Sequence, residues 1–431
     1  MQRRNFLRRT GLALGASAVL PVFHNLNANP LVLDGWAGLR QQFLLDPSRI
    51  HMAQMFLASH PKPVRDAIDH HRKMFDESPV EYWENSWQKM EPSVCEAAAK
   101  YIQSDPQEIV LTDSTSMGLG LLYTGLKLKE GDDILTTTHD HYATEKSLEY
   151  AALKNGATVR KVTLYQEAST ASVDEMVGTI VNAIKPNTKV IAVTWVHSVT
   201  GMKLPIRAMA DAIKTVNEKR SLADRIYFCV DGVHGFGVED ITMADLGCDF
   251  FAAGTHKWIF GPRGTGILWG RKEAWDMVIP TIPAFSPASY FMWMGTVPKG
   301  KINFSDLHTP GGFHSFEYRW ALKEAFEFQL QIGKAKIAER THQLGTLLKN
   351  GIKEIKHIKL HTPLSPALSA GINCFEVAGM TSEEVIKKLF AKKIIGSAAP
   401  YAVSYARLTP SIINNEEEVK TCITALENIK S

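Results

Sequence analysis

Two residues carry the chemistry this sequence can do, Lys257 and Asp231. Lys257 stands in AGTHKWIFGPRGTG, residues 253–266, directly after the apolar run Phe250, Phe251, Ala252 and Ala253, which places its ammonium at the buried edge of a sheet. Burial favours the neutral amine, and a neutral lysine amine attacks aldehydes to form a Schiff base. Thr255 and His256 before it, with Gly261, Gly264 and Gly266 after it, suit a tight loop wrapped around an anion. Asp231, in YFCVDGVHGFG, ends the continuous strand-like run Ile226 to Val230. A carboxylate at the carboxyl end of a buried parallel strand lies where α/β proteins bind ligands. An isolated lysine among glycines reads as a surface turn residue, and Asp231 argues against that here. A lysine that condenses with aldehydes, paired with a carboxylate aimed at a pyridine nitrogen, is what pyridoxal phosphate requires.

Three further stretches fit that pairing. Ser114, Thr115 and Ser116 follow the short buried strand 109–112 and open a helix. Backbone N–H groups at a helix start bind anions, and the macrodipole adds roughly 0.3–1 kcal/mol. Alone, such a run is only an N-cap; beside Lys257 and Asp231 it reads as a phosphate site, with Thr115 its firmest member. The segment HDHYATE sets His139 and His141 at a strand end, but no third ligand of matching spacing accompanies them, so no metal site is expected. Arg407, in YARLTPSIINNEEEV, offers a guanidinium, the natural bidentate partner of a substrate α-carboxylate.

At these residues the sequence resembles the class V aminotransferases, the branch of fold-type I pyridoxal phosphate enzymes that holds cysteine desulfurases, kynureninase and isopenicillin N epimerase. CDFFAAGTHK followed by GTGIL carries the signature, and the resemblance runs from about Ile50 to the C-terminus. TWVHSVTGMKLPI, VDGVHGFG, GTHKWIFGPRGTGILWG and PGGFHSFEYRWAL are most similar to the isopenicillin N epimerase-like group. The resemblance implies Lys257 as the catalytic lysine, Ser114, Thr115, Ser116, Thr255 and His256 around the cofactor phosphate, and Asp231 at the ring nitrogen. Aligning DHYA with the family's EHHA implies that His141 stacks on the ring, with His139 and Tyr142 as alternatives. His234 occupies a position that touches the cofactor's phenolic oxygen, and Ser198 stands where desulfurases place an asparagine on the same oxygen. Many relatives give a threonine to the neighbouring subunit's phosphate; PGG replaces it here, which implies backbone contacts from Gly311 or Gly312 in a homodimer. Arg407 matches the family's carboxylate-binding position. Desulfurases also need a nucleophilic cysteine on a loop before that arginine, and IIGSAAPYAVSYAR has none, so sulfur transfer is disfavoured.

The elements that must position these groups follow from periodicity. Strand-like segments at 109–112, 134–138, 157–164, 188–195 and 226–230 alternate with helical stretches such as 173–184, the pattern of a mostly parallel sheet between helices. With the resemblance, the expected fold is α/β: a fold-type I large domain over 62–312 with a seven-stranded-type sheet, and a smaller α/β domain from 29–61 and 313–431. Helical spacing is read from Pro92 to Ile102, and again in the last hundred residues over 334–355, 381–391 and 415–429, with strands near Lys356 to His361 and Gly371 to Val377. Residues 280–301, rich in Pro, Gly, Met and aromatics, read as a loop over the site.

The 431 residues, 45% hydrophobic and 22% charged, have the composition of an ordinary globular chain. The formal charge of +3 arises at the N-terminus: residues 1–28 carry Arg3, Arg4, Arg8 and Arg9 and no acid, so 44 basic residues face 45 acidic ones beyond them. No basic patch points to nucleic acid, and no later stretch reads as a membrane span. MQRRNFLRRTGLALGASAVLPVF reads as a twin-arginine export signal rather than an amphipathic first helix, with cleavage placed after Ala28 and no nearby cysteine for a lipid anchor. A folded, cofactor-loaded periplasmic enzyme is therefore expected, with the twin-arginine machinery as a partner. The five cysteines lack metal or disulfide spacing and read as packed thiols. The expected function is pyridoxal phosphate chemistry at the Cα of an amino acid or peptide-borne residue. Transamination ranks first, with epimerisation, tailoring of a pyoverdine-type siderophore, and a non-catalytic binding protein behind it.

Overall fold

The computed structural model describes residues 35–296 and 304–429. The export signal read at 1–28 lies outside the described residues, as do 297–303 of the Pro-rich loop. From Asp34 onward the chain forms one compact unit.

Its centre is a seven-stranded sheet, in the order β2 (Ile109–Thr112), β8 (Gly266–Gly270), β7 (Phe250–Gly254), β6 (Tyr227–Asp231), β5 (Thr188–Thr194), β3 (Asp133–Thr137) and β4 (Thr158–Val162). All neighbouring pairs are parallel except those of β8, which runs antiparallel to both β2 and β7. The inner strands are buried along their length, which is why they read as unbroken apolar runs. Val173–Ala183 and Ile206–Asn217 turn their apolar stripes toward one core, and Thr115–Gly125 and Tyr142–Asn155 toward another. The expected α/β fold-type I architecture, with a mostly parallel seven-stranded sheet, is what the chain adopts.

A second, antiparallel sheet gathers β9 (Ile358–Leu360), β10 (Asn373–Val377), β12 (Ser397–Ala398) and β13 (Ala406–Leu408). The short β1 (Ile50–His51) pairs in parallel with β11 (Ile394–Ile395), so the leading segment joins the C-terminal elements. Two local expectations need correction. The helix read from Pro92 starts at Pro79 and runs to Ile102 with Pro92 inside it; Pro79 takes the first-turn position that proline favours. The stretch read as a loop over 280–301 contains the helix Pro287–Trp293, capped by Ser286.

The turn after β3 shows how the sheet aims side chains. Asp140 is buried and accepts from Thr136 Oγ1 (2.8 Å), Thr137 N–H (2.8 Å), Thr137 Oγ1 (2.7 Å) and, across on β5, Thr194 N–H (2.6 Å). Burial pushes its carboxyl pKa up while these donors pull it down. We predict that Asp140→Ala, which orphans buried donors, destabilises the protein by about 3 kcal/mol in urea unfolding. Removing the exposed Asp211 partner of Arg207 should stay within about 0.5 kcal/mol. Equal effects of the two changes would contradict the anchoring role.

Candidate active site

Asp231 closes β6, and Ala252 on β7 is its register partner, so the loop that leaves β7 with Lys257 starts beside the carboxylate. Asp231 is buried, accepting from Val233 N–H (3.2 Å) and, at longer range, Thr144 Oγ1 (3.5 Å). Burial raises its pKa to about 6 against the pull of the Val233 N–H and the Lys257 charge. Lys257 is held down to about 8, first by desolvation and then by Arg407, while Asp231 pulls the other way. Its Nζ lies 3.4 Å from His234 Nε2. The leading segment braces this loop: Gln54 Nε2 donates to Lys257 O (3.1 Å) and Ala58 N–H to His256 O (3.1 Å).

The helix Thr115–Gly125 begins beside the lysine loop. Thr115 Oγ1 accepts from Gly254 N–H (2.7 Å), which leaves its own proton free to donate. Ser114 caps the helix, accepting from Met117 N–H (3.1 Å), and the first helical bond is Gly118 N–H to Ser114 O (3.0 Å). The N–H groups of Thr115 and Ser116 precede that bond, and the Ser116 side chain is exposed. His256 Nδ1 is buried without a hydrogen-bond partner. Gly254 leaves the space between them open, since a Cβ there would sit 3.0 Å from both His256 Cε1 and Thr115 Oγ1. Free hydroxyl protons, unpaired helix-start N–H groups and an orphaned imidazole nitrogen around one glycine form a donor set that fits a phosphate. Thr255 is not part of that set. Thr265 gives its proton to Pro262 O (2.6 Å), so the Thr255–Thr265 contact of 2.5 Å takes the Thr255 proton, and Thr255 braces the loop.

The two histidines of HDHYATE separate. His139 stacks on Tyr165, with ring centroids 4.0 Å apart and planes 7° from parallel, and its Nε2 accepts from Leu164 N–H (3.2 Å). His141 caps the helix Tyr142–Asn155 through Nδ1, and its pKa is lowered by burial and by the Lys257 charge, which puts it on the lysine side. Tyr142 is exposed. Asp140, tied into β3 and β5, is what divides them.

Arg407, on β13, is 3% exposed, and no carboxylate pairs with it among the described residues. Its Nε donates to Ser397 Oγ (3.1 Å), Nη1 to Ser198 O (2.9 Å) and Nη2 to Ala398 O (2.7 Å). Ser198 Oγ is occupied by Tyr401 OH at 2.6 Å, and the Tyr401 ring meets His141 edge-on with centroids 6.3 Å apart. Gly312 lies on an exposed turn at φ 107°, and Gly311 N–H is taken by Pro283 O (3.0 Å), so on a single chain Gly311 offers no free donor. Sequence reasoning missed Tyr401, which sits in an aperiodic loop, and Trp258, which adjoins the more conspicuous lysine. Among the described residues no cluster of metal-ligating side chains appears.

These charges set the reactivity of Lys257 in opposite senses. The neutral amine is the reactive form, so labelling of Lys257 in cofactor-free protein should rise with pH through about 8. Asp231→Asn removes the group that raises the pKa and should move the midpoint to lower pH; Arg407→Met should move it to higher pH. Shifts of the same sign, read by mass spectrometry of the labelled peptide, would contradict this electrostatic account.

Residues 81–399 match the Aminotransferase class-V family. Isopenicillin N epimerase of Amycolatopsis lactamdurans is 25% identical over 80% of this chain and 86% of its own length. Isopenicillin N epimerase of Streptomyces clavuligerus is 23% identical over 91% of this chain and 98% of its own. Among solved structures, the lyase C-DES with glycine covalently linked to its PLP cofactor superposes with a TM-score of 0.79 at 20% identity, covering 91% of this chain and 99% of that one, and shows the shared fold. With a fold-type I architecture, and with pyridoxal phosphate as its cofactor, the chain belongs to the aminotransferase class-V family.

Proposed function

We propose that the protein acts at the Cα of an amino acid, free or carried on a peptide, and that its reaction is transamination. The observation that carries this reading is Arg407, a buried guanidinium bonded only to neutral acceptors among the described residues and close enough to lower the Lys257 pKa. A buried cation without an anion is costly, and a substrate carboxylate would complete it. Bound pyridoxal phosphate supplies an aldehyde for amines and an electron-withdrawing ring that acidifies Cα. Thr115, Ser114, His256 and the Thr115 and Ser116 N–H groups would hold its phosphate, Asp231 would keep its ring nitrogen protonated, and His141, Ser198 and His234 would complete the site. Lys257, its pKa lowered toward neutrality, would take the proton from Cα and deliver it to the carbon that came from the cofactor's aldehyde, which leaves the substrate as an oxo acid after hydrolysis. Transamination needs no proton carrier beyond these.

Epimerisation is the second reading, supported by the epimerase relatives and by Tyr401. That reaction needs a second proton carrier, and the Tyr401 hydroxyl, fixed by Ser198, is an ionisable group beside His141. Sulfur transfer has less support. All five cysteines are buried, and burial pushes the thiols of Cys95, Cys374 and Cys422 up to about 12, far from a reactive thiolate. Export to the periplasm and a homodimer belong to the same proposal. Phe285, Tyr290, Phe291, Trp293 and Phe313 are exposed on the single chain and would suit a subunit interface; a sedimentation mass of one chain would argue against it.

The test is a panel of L- and D-amino acids and peptides added to holoenzyme in deuterated water. Transamination predicts an oxo acid and the amine form of the cofactor; deuterium at Cα with loss of optical purity and no oxo acid would replace it with epimerisation. Arg407→Met should cost about 3 kcal/mol of transition-state binding, on the order of a hundredfold in kcat/KM. An unchanged kcat/KM would remove Arg407 from the site.

A further inference from the structure

Trp258 follows Lys257 but points its indole elsewhere. It is 2% exposed, and its carbonyl accepts from Gln329 Nε2 (2.8 Å), itself fully buried. A Cβ on Gly371 would collide with the six-membered ring, so that glycine gives the indole its seat. From there Nε1–H donates to His234 Nδ1 at 3.4 Å, while His234 Nε2 lies 3.4 Å from Lys257 Nζ. The three side chains form a line from a buried indole through an imidazole to the reactive amine.

The chemistry of the three groups orders the protons. An indole N–H only donates, so Nδ1 must accept and carries no proton. A neutral imidazole then holds its proton on Nε2. An Nε2–H aimed at Lys257 needs an acceptor, and the lysine nitrogen accepts only as the neutral amine. An ammonium in that place would oppose one donor to another. We propose that Trp258 is a positioning residue that fixes His234 as its Nε2–H tautomer, which donates to the Lys257 amine and holds it neutral and oriented for cofactor capture.

The surrounding charges agree. His234 is kept well below its usual pKa by burial, and then by Lys257, Arg407, His141 and His256, so the imidazolium is not its resting form. Lys257 faces Asp231 from β6 and Arg407 from β13; the acid favours the ammonium, while desolvation and Arg407 bring the midpoint down to about 8, above which the amine is neutral and can accept. The significance of this relay for catalysis rests on the cofactor reading above, whereas the relay itself is a property of the cofactor-free protein.

The test uses cofactor-free full-length protein with ¹⁵N-histidine and reads the His234 tautomer by NMR, assigned with His234→Gln. Wild type should show Nε2–H at pH 9, above the Lys257 midpoint near 8; an Nδ1–H form or an imidazolium at that pH would overturn the proposal without any change to Trp258. Trp258→Phe, or replacement by the sulfur isostere benzothienylalanine if phenylalanine loosens the fold, should give mixed tautomers and raise the labelling midpoint of Lys257 by about one unit. Capture of pyridoxal phosphate at pH 7 should then slow about tenfold. An unchanged tautomer and midpoint would reduce Trp258 to packing. Loss of the cofactor band in wild type with the tautomer intact would instead sink the cofactor reading and leave the relay standing.

Discussion

A lysine amine, a carboxylate and a guanidinium share one poorly solvated region, and the rest of the structure serves to keep them there. Each is pushed toward its neutral form by burial, and each is modified by the others: Asp231 up to about 6, Lys257 down to about 8, Arg407 below its ordinary value. In water these influences would be screened within several ångströms. Inside the fold they decide which protonation state each group presents. The sheet supplies the placement, since parallel β6 and β7 end side by side and deliver Asp231 and the Lys257 loop to one edge. Arg407 arrives from a separate sheet, through β13, and is tied back by Ser198, just beyond the end of β5.

Around that charged core, the donors are arranged by backbone more than by side-chain chemistry. Gly254 N–H holds Thr115, so the helix that Thr115 opens begins beside the lysine loop. Asp140 holds β3 to β5 and sends His139 into an aromatic stack while His141 stays with Lys257. Such fully bonded buried polar groups specify one arrangement because their alternatives leave donors unmet.

Much of this was legible in the sequence. Lys257 and Asp231 each follow an apolar run, and a buried strand that ends in an ionisable residue is readable without a structure. The buried strands β2, β5 and β6 were legible for the same reason, since strands buried on both faces are continuous apolar segments; the count of seven came with the family resemblance, and the edge strand β4 carries Arg160 and Lys161. Side-chain direction within loops was not. His139 and His141 are equivalent by spacing until Asp140 is known to reach β5. Thr255 looks like a phosphate donor until Thr265, whose own proton goes to Pro262 O, is seen to take the Thr255 proton. Tyr401 has no periodic neighbours to mark it, and its contacts with Ser198 and His141 cross more than two hundred residues of chain. Helical spacing was readable from Pro92 to Ile102, but the helix begins at Pro79, which takes the first-turn place that proline favours.

The most direct test of this account is chemical trapping. Protein loaded with pyridoxal phosphate, reduced with borohydride and digested, should carry one pyridoxyl adduct, on the peptide that contains Lys257, and the adduct should disappear in Lys257→Ala. An adduct on another lysine such as Lys349, or none at all, would contradict the claim that the cluster of Lys257, Asp231 and Arg407 is the site of the chemistry.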